Sequence, residues 1–493
     1  MYLGGLDIGT TGCKISVFST DGKLFKVYYR EYNVTRQSGQ HEIDFTIIKD
    51  GVLAILKEAA NDCRIEALGV TSFGETFAML DKDDNILLPS MLYTDPRGEE
   101  QCNQILEKIS EEDFADIAGV KPNAMYSIFK LMWLKSNRPE EFKKCDKVLL
   151  GEDFIVYTLT GKRQMSSSLA ARTAALDIAT GRWSNKIFEL AGIDPSIMSC
   201  PVEAGTLADN LTDSVKEYLG IDYDIKIVTA AHDQVAGMIG AGIFKSDCAM
   251  DGTGTVECIP VILESKPTDK RIYSGGYSVV PFLKGRYACY AFSFTGGATL
   301  KWFRDTFAEA QKEECEATGK NVYALLDNSV PEDPTGILVL PHFAGAATPY
   351  MDNGSKAAIL GVTLETNKYD IYKALMEGTS YEMQLNFKRL GACAEGVKSL
   401  RATGGGATSD VWLQIKADIL QMDIAALDCK EVGAAGCAAL AGVAIGVYDD
   451  LEAAVANMAP TRKVFKPNKD KAAVYAEIYK RYEKLYDSVR GLM

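Results

Sequence analysis

Two short segments rich in glycine and threonine carry residue types that can do phosphate chemistry. Asp7-Ile8-Gly9-Thr10-Thr11-Gly12-Cys13-Lys14 lies near the start of the chain, and Asp251-Gly252-Thr253-Gly254-Thr255-Val256-Glu257 lies about halfway along it. Each is an acidic residue, a Gly/Thr turn and then a β-rich stretch. A tight turn of this composition lets successive backbone N–H groups and hydroxyls converge on one point, an anion nest. Two such turns facing each other would hold a polyphosphate from both sides, with Thr10, Thr11 and Lys14 on one side and Gly252, Thr253 and Gly254 on the other. Lys14 adds positive charge there, and Asp7 is placed to hold Mg2+ through water. Two further clusters, Thr295-Gly296-Gly297-Ala298 and Thr403-Gly404-Gly405-Gly406-Ala407, each lead into a helical pattern. Glycines so placed permit close approach of a flat ring or a phosphate. Singly, each turn is also an ordinary hairpin and each cluster an ordinary helix cap. Their recurrence, one turn at the start of each half, favours a duplicated phosphate site. No Gly-Lys pair is followed by Ser or Thr, and no G-x-G-x-x-G opens a helix after a strand, so neither a P-loop nor a Rossmann site is supported.

The elements that must position these turns are legible in the hydrophobic periodicity. Apolar β-branched runs alternate with helix-period stretches, which makes the class α/β. Tyr2–Ile8 reads as a buried strand, residues 14–19 as its hairpin partner, and 23–32 as a third strand after the Asp21-Gly22 turn. Residues 43–60 have helical periodicity and Ile65–Ser72 returns as a strand. The glycine clusters open helices over 299–308 and 409–420. Val474, Ile478, Tyr482, Leu485 and Val489 step by three or four and predict one closing amphipathic helix. The internal echo predicts two similar lobes, residues 1–245 and 246–493.

Composition removes several function classes. The chain has 493 residues, 47% hydrophobic and 24% charged, as in an ordinary globular protein. Its 53 basic and 67 acidic side chains give a net charge of −14, which offers no electrostatic footprint for nucleic acid. The first residues have neither a basic n-region nor an apolar h-region, and the Ala/Gly-rich run 434–447 is too short to span a bilayer. No membrane association is expected. The 12 cysteines form no C-x-x-C pair and read as reduced core residues, and the three histidines are too dispersed for a metal site. A cytoplasmic protein is predicted.

With these segments in this order, the chain resembles the FGGY carbohydrate kinases of the actin/hexokinase-like (ribonuclease H-like) ATPases. The Asp7 turn resembles the family's first phosphate motif, the Asp251 turn its second, and residues 403–407 its adenosine motif. Residues 125–134 and 357–377 resemble two family signatures, the latter with a mismatch. The resemblance implies a two-lobed α/β ATPase fold with a central cleft. It implies ATP and Mg2+ as cofactors and phosphorylation of a hydroxyl on a small sugar or polyol, and it is compatible with a homodimer. It implies that Asp233, after the apolar stretch 227–231, is the general base that accepts the alcohol proton. His232 and Gln234 flank it as substrate contacts. Glu75, Thr76 and Asp95 are the sugar-side candidates, and Gly296, Gly297, Gly405, Gly406 and Asp410 the candidates for ATP.

Departures from the family narrow the substrate. Glycerol kinases carry an Arg where this chain has Gly74 and a Tyr where it has Met125, which weakens glycerol. Gly74 is expected to leave room for a larger substrate, and a xylulokinase-like ketopentose is favoured. The alternatives are another FGGY substrate, namely glycerol, gluconate, erythritol, fuculose or ribulose; no new cation is evident for gluconate. An actin-like ATPase without sugar phosphorylation is the alternative from another class.

Overall fold

The computed structural model describes residues 1–37 and 39–493. Tyr2–Ile8 (β1), Gly12–Ser19 (β2) and Leu24–Glu31 (β3) form an antiparallel meander. Phe45–Asp62 (α1) then crosses to Ile65–Ser72 (β4), which runs parallel to β1. The helix starts at Phe45 because the Asp44 carboxylate accepts the N–H of Thr46, an N-cap. It buries Phe45, Ile48, Val52, Ile55, Leu56 and Ala59 along one stripe, each large apolar side chain contributing about 1.5–3 kcal/mol. Ser127–Asn137 (α2), Gly151–Thr160 (α3), Thr206–Asn210 (β5), Lys226–His232 (β6) and Asp233–Gly240 (α4) are the elements of the first half that bear on the site. The sheet order is β5-β6-β4-β1-β2-β3, with β6 parallel to β4.

The second half repeats this plan. Cys248–Thr253 (β7), Glu257–Leu263 (β8), Ser278–Pro281 (β9) and Tyr287–Ser293 (β10) are antiparallel neighbours in the order β9-β10-β8-β7. Gly297–Phe307 (α5) and Lys368–Leu390 (α6) lead to Ser399–Thr403 (β11), parallel to β7. Asp410–Leu420 (α7), Asp423–Leu427 (β12), Val432–Ala444 (α8) and Thr461–Phe465 (β13) follow, and β12 is parallel to β11. In each half three antiparallel strands are extended by two parallel ones, β3-β2-β1-β4-β6 and β10-β8-β7-β11-β12. The echo in the sequence is thus an echo in topology, with each Gly/Thr turn joining the first two strands of its sheet.

The Ala/Gly-rich run is α8, and its composition has a packing cause. A Cβ on Gly5 would lie 1.9 Å from the Ala434 carbonyl oxygen, one on Gly69 2.2 Å from that of Cys437, and one on Gly240 1.8 Å from that of Val432. A helix encoded in the second half therefore lies in backbone contact with β1, β4 and α4 of the first, which only glycine permits. The closing amphipathic pattern differs from the expectation: it is two helices, Lys469–Tyr482 (α9) and Leu485–Val489 (α10). The break at 483–484 keeps Tyr482, Leu485 and Tyr486 all buried. Among the described residues, no helix is long and apolar enough to cross a membrane.

Candidate active site

β4 and β6 are parallel neighbours, and Ser72 stands in register with His232. The segments that follow them, Phe73-Gly74-Glu75-Thr76 and Asp233-Gln234, therefore emerge side by side at the carboxyl edge of the sheet, where open α/β sheets bind ligands. Asp233 opens α4. Burial pushes its carboxyl up to about 6, against opposing effects of Gln234 and Arg172. Its Oδ1 lies 3.1 Å from His232 Nε2. Burial and the nearby Arg172 hold the His232 pKa down to about 3, so the imidazole is neutral. The His232 backbone N–H donates to Ser168 Oγ at 3.0 Å.

Glu75 takes a left-handed backbone conformation, φ 66°, uncommon for a residue with a side chain. Ser127, the first residue of α2, holds it there by donating to the Glu75 carbonyl at 2.6 Å. Its Oε1 accepts from Arg172 Nε at 2.6 Å and Nη2 at 2.5 Å. The Arg172 guanidinium lies 5.2 Å from the centre of the Tyr126 ring. Five polar atoms gathered here are buried without a protein partner: Thr76 Oγ1, Arg172 Nη1, His232 Nδ1, Asp233 Oδ1 and the Tyr290 hydroxyl. Each such group costs about 1–3 kcal/mol when left unsatisfied. A small ligand bearing several hydroxyls would satisfy them.

Arg172 and Tyr290 escaped the sequence reading. The one signal for Arg172 was a single guanidinium inside the small, apolar run 169–176. It also corrects the expectation at Gly74: a Cβ there would lie 3.0 Å from Arg172 Cβ and Cγ and 3.3 Å from His232 Nε2. The missing side chain makes room for Arg172, not for a larger substrate. Asp95 is likewise drawn elsewhere. Its carboxylate accepts from the His41 backbone N–H at 2.8 Å and from Arg97 N, Nε and Nη2 at 3.0, 2.8 and 2.7 Å. Burial would raise its pKa, but the Arg97 and backbone hydrogen bonds hold it below the ordinary carboxylate value. Arg97 also reaches Glu42 at 2.6 Å and lies over Trp133. Asp95 is a loop clamp whose oxygens are already engaged.

At the first turn, Asp7 of β1 stands opposite Lys14 of β2, and Gly9 N–H closes the loop onto the Gly12 carbonyl at 2.9 Å. Thr10 is half-buried and Thr11 exposed at its tip. Burial pushes Asp7 up to about 6; Lys14 lowers it, and Asp233 and Glu431 raise it. Lys14 is ion-paired with Glu431, just before α8. Although burial opposes its charge, Glu431 and Asp7 raise its pKa. Around Asp7 stand one ammonium, Lys14, which is already paired with Glu431, and two further carboxylates, Asp233 and Glu431, so the surroundings of Asp7 are acidic on balance. That acidic balance fits a hydrated divalent cation, although among the described residues no three His, Cys, Asp or Glu side chains form a closed metal cage.

The second turn is built differently from the first. β7 runs through Thr253, whose hydroxyl donates to Asp251 Oδ1 at 2.6 Å beneath the turn. Gly252 and Thr253 therefore underlie the site, while Gly254 and Thr255 face a cavity of about 460 Å3. Gly297 N–H donates to the Gly254 carbonyl at 2.8 Å and Gly296 N–H to that of Thr255 at 2.9 Å. These glycines seat α5 on the turn, and Gly297 also lines the cavity. Gly404 has φ 83°, and a Cβ on it would lie 2.5 Å from the Thr253 carbonyl oxygen. The wall also includes Gly405, Gly406, Trp412, Tyr323, Asn321 and Lys301. Asp410 does not join it. It pairs with Arg462 at 2.8 Å and Lys463 at 2.7 Å and borders a separate groove, because it faces outward at the first turn of α7.

Comparison with known proteins adds an independent line. Residues 2–240 match the N-terminal domain, and residues 252–445 the C-terminal domain, of the FGGY family of carbohydrate kinases. The chain is 26% identical to xylulose kinase of Bacillus subtilis (strain 168), over 100% of its own length and 98% of the relative's. The ligand-bound xylulose kinase and the gluconate kinase from Lactobacillus acidophilus each match at a TM-score of 0.89 and 24% identity, covering 99% of this chain and 98% of theirs. The fold is the two-domain actin/hexokinase-like one.

Proposed function

The chain belongs to the FGGY family of carbohydrate kinases, ATP-dependent phosphotransferases, and we propose that its acceptor is a neutral ketopentose or closely related polyol with Asp233 as general base. The reading rests chiefly on the five unpartnered polar atoms around Asp233 and Glu75. Donors (Arg172 Nη1, Thr76, Tyr290) and acceptors (Asp233, neutral His232) are both present there, which suits hydroxyls that give and take hydrogen bonds. Relatives named for xylulose and for gluconate leave the acceptor open between a neutral sugar and an aldonate. The site's one cation, Arg172, is neutralised by Glu75, and Asp233 adds negative charge, which favours the neutral substrate.

The reaction asks little covalent chemistry of the protein. Glu75 and Arg172 hold the sugar, Asp233 Oδ1 accepts the proton of the attacking hydroxyl, and residues 1–245 act as the sugar-binding lobe. Residues 246–493 hold ATP, with adenine beside Gly405, Gly406 and Trp412 and the phosphates toward Gly254 and Thr255. The turn at Thr10 and Thr11 faces the same phosphates from the first lobe. Bound Mg2+ would neutralise phosphate charge, and Asp7 would hold it through water. ADP release measured across a panel of ketoses, polyols and aldonates tests the proposal. Stimulation by a neutral ketose is expected. Stimulation by aldonates alone would overturn the substrate class, and none by any compound would overturn the acceptor reading.

A further inference from the structure

We infer that Lys416 is a positioning residue for phosphoryl transfer, locking the second phosphate turn to the helix that walls the nucleotide cavity. Lys416 sits on α7, one turn after Trp412, and is buried with its partners. Its ammonium donates to Asp251 Oδ2 at 2.6 Å, Thr253 Oγ1 at 2.7 Å and Glu257 Oε1 at 2.6 Å. Three donors meet three acceptors, so the group is fully satisfied. The acceptors lie on β7 and β8, the two strands that the turn at 254–256 connects. On its other side the ammonium lies 4.8 Å from the centre of the Trp412 ring, part of the cavity wall. One side chain thus touches the supports of both surfaces that would grip the nucleotide.

Stability alone does not account for this arrangement. A buried ion cluster is commonly no more stable than well-packed apolar residues of the same volume, because desolvation offsets the attraction. Here two carboxylates face one ammonium. Burial raises the Glu257 pKa, with Lys416 opposing the rise and Asp251 adding to it. What such a cluster supplies is direction: three short charged bonds fix where the turn stands relative to α7. An apolar core would tolerate sliding at this junction, where Gly406 already meets Thr253 closely enough that a Cβ would fall 2.6 Å from Thr253 Cγ2. The motif leaves the sugar side untouched.

This inference rests on the proposed placement of ATP, so the test separates the two. Steady-state kinetics would be run on the full chain with the sugar that the panel identifies, for Gly254→Val, Lys416→Met and Glu257→Gln. Gly254→Val obstructs the turn itself; if the KM for ATP stays unchanged, the ATP placement fails. With that variant impaired, Lys416→Met is expected to raise the KM for ATP about tenfold or more, since displacements near 1 Å carry costs of that order. The KM for sugar should stay within about twofold. Glu257→Gln keeps the shape and an acceptor oxygen and is expected to shift the same constant in the same direction by about threefold. A folded Lys416→Met enzyme with a normal KM for ATP, or with both KM values rising together, overturns the positioning role. Where Lys416→Met does not fold, an unchanged KM for ATP in Glu257→Gln overturns it.

Discussion

Replacing Asp233 by Asn isolates the proposed base with little change of shape. Asn cannot accept the alcohol proton, and general-base assistance is typically worth about 10²–10⁴-fold, so kcat should fall by about 10³. The pH profile sharpens the test. With its carboxyl at about 6, Asp233 is roughly 97% ionised at pH 7.5 and roughly 9% at pH 5, a tenfold loss of active base. Asp7 also lies at about 6, so if both must be ionised the wild-type acid limb approaches a slope of two, with a loss of about a hundredfold at pH 5. The Asn variant should retain only the Asp7 limb, with a slope of one. Stability should move the other way. A carboxyl whose folded pKa lies above its unfolded value stabilises the fold at low pH and loses that contribution as pH rises through about 6. Removing it at pH 7.5 therefore should not lower the melting temperature. The assay is ADP release with and without sugar, alongside calorimetric titration of ATP, whose affinity should be unchanged. Near-normal turnover, or a slope of two surviving in Asp233→Asn, would refute the assignment.

Three other substitutions probe the surroundings. Arg172→Met leaves Glu75 buried without its cation, and the KM for sugar should rise about tenfold or more with the KM for ATP unchanged; equal rises in both would argue for a purely structural arginine. Asp95→Asn should leave the KM for sugar within about twofold while costing about 1.5–3 kcal/mol of stability, read by denaturant unfolding. Because the folded pKa of Asp95 is depressed, that stability is present above the unfolded pKa and is lost as pH falls through the folded one, so the variant and wild type should converge in strong acid. Gly436→Val places a Cβ 2.0 Å from the Ala236 carbonyl oxygen and should destabilise by about 1–3 kcal/mol or more through overpacking; an unchanged unfolding midpoint would show that the α4–α8 crossing can give way.

How much of this was legible in the sequence depended on the range of the interaction. The strand at Ile65–Ser72, the hairpin around the first turn and the helix capped by Ser409 follow from periodicity and local caps, and they stand where expected. The strand-end position of Asp233 could be read because a β-rich run stops there. What stayed hidden depends on partners far away in the chain. Glu75 read as a free acceptor because Arg172 lies 97 positions later. Thr253 read as a phosphate ligand because nothing local reveals that Lys416, 163 positions on, takes its hydroxyl downward. Asp410 read as a nucleotide contact because the family resemblance groups it with Gly405 and Gly406, yet β13 brings Arg462 and Lys463 to it. Gly74 read as open space, although a glycine marks only where a Cβ is excluded, and here a guanidinium stem excludes it.

The duplicated architecture explains how one plan yields two different acids at the cleft. In the first half α4 follows the fifth strand of the repeat, β6, and begins at Asp233; in the second, α8 follows the equivalent strand, β12, just after Glu431. The two helices cross in backbone contact, where a Cβ on Gly240 would lie 2.6 Å from Gly436 N. Their N-terminal carboxylates consequently both come near Asp7. Both positions feel the favourable end of a helix dipole, so symmetry alone would give them equal character. Their partners separate them. Glu431 takes the Lys14 ammonium, whereas the Oδ1 of Asp233 has a neutral imidazole beside it and no hydrogen bond. Burial raises the affinity of Asp233 for a proton to the range a general base needs. On the proposed mechanism, pairing and burial acting on a repeated backbone make one carboxylate structural and the other reactive.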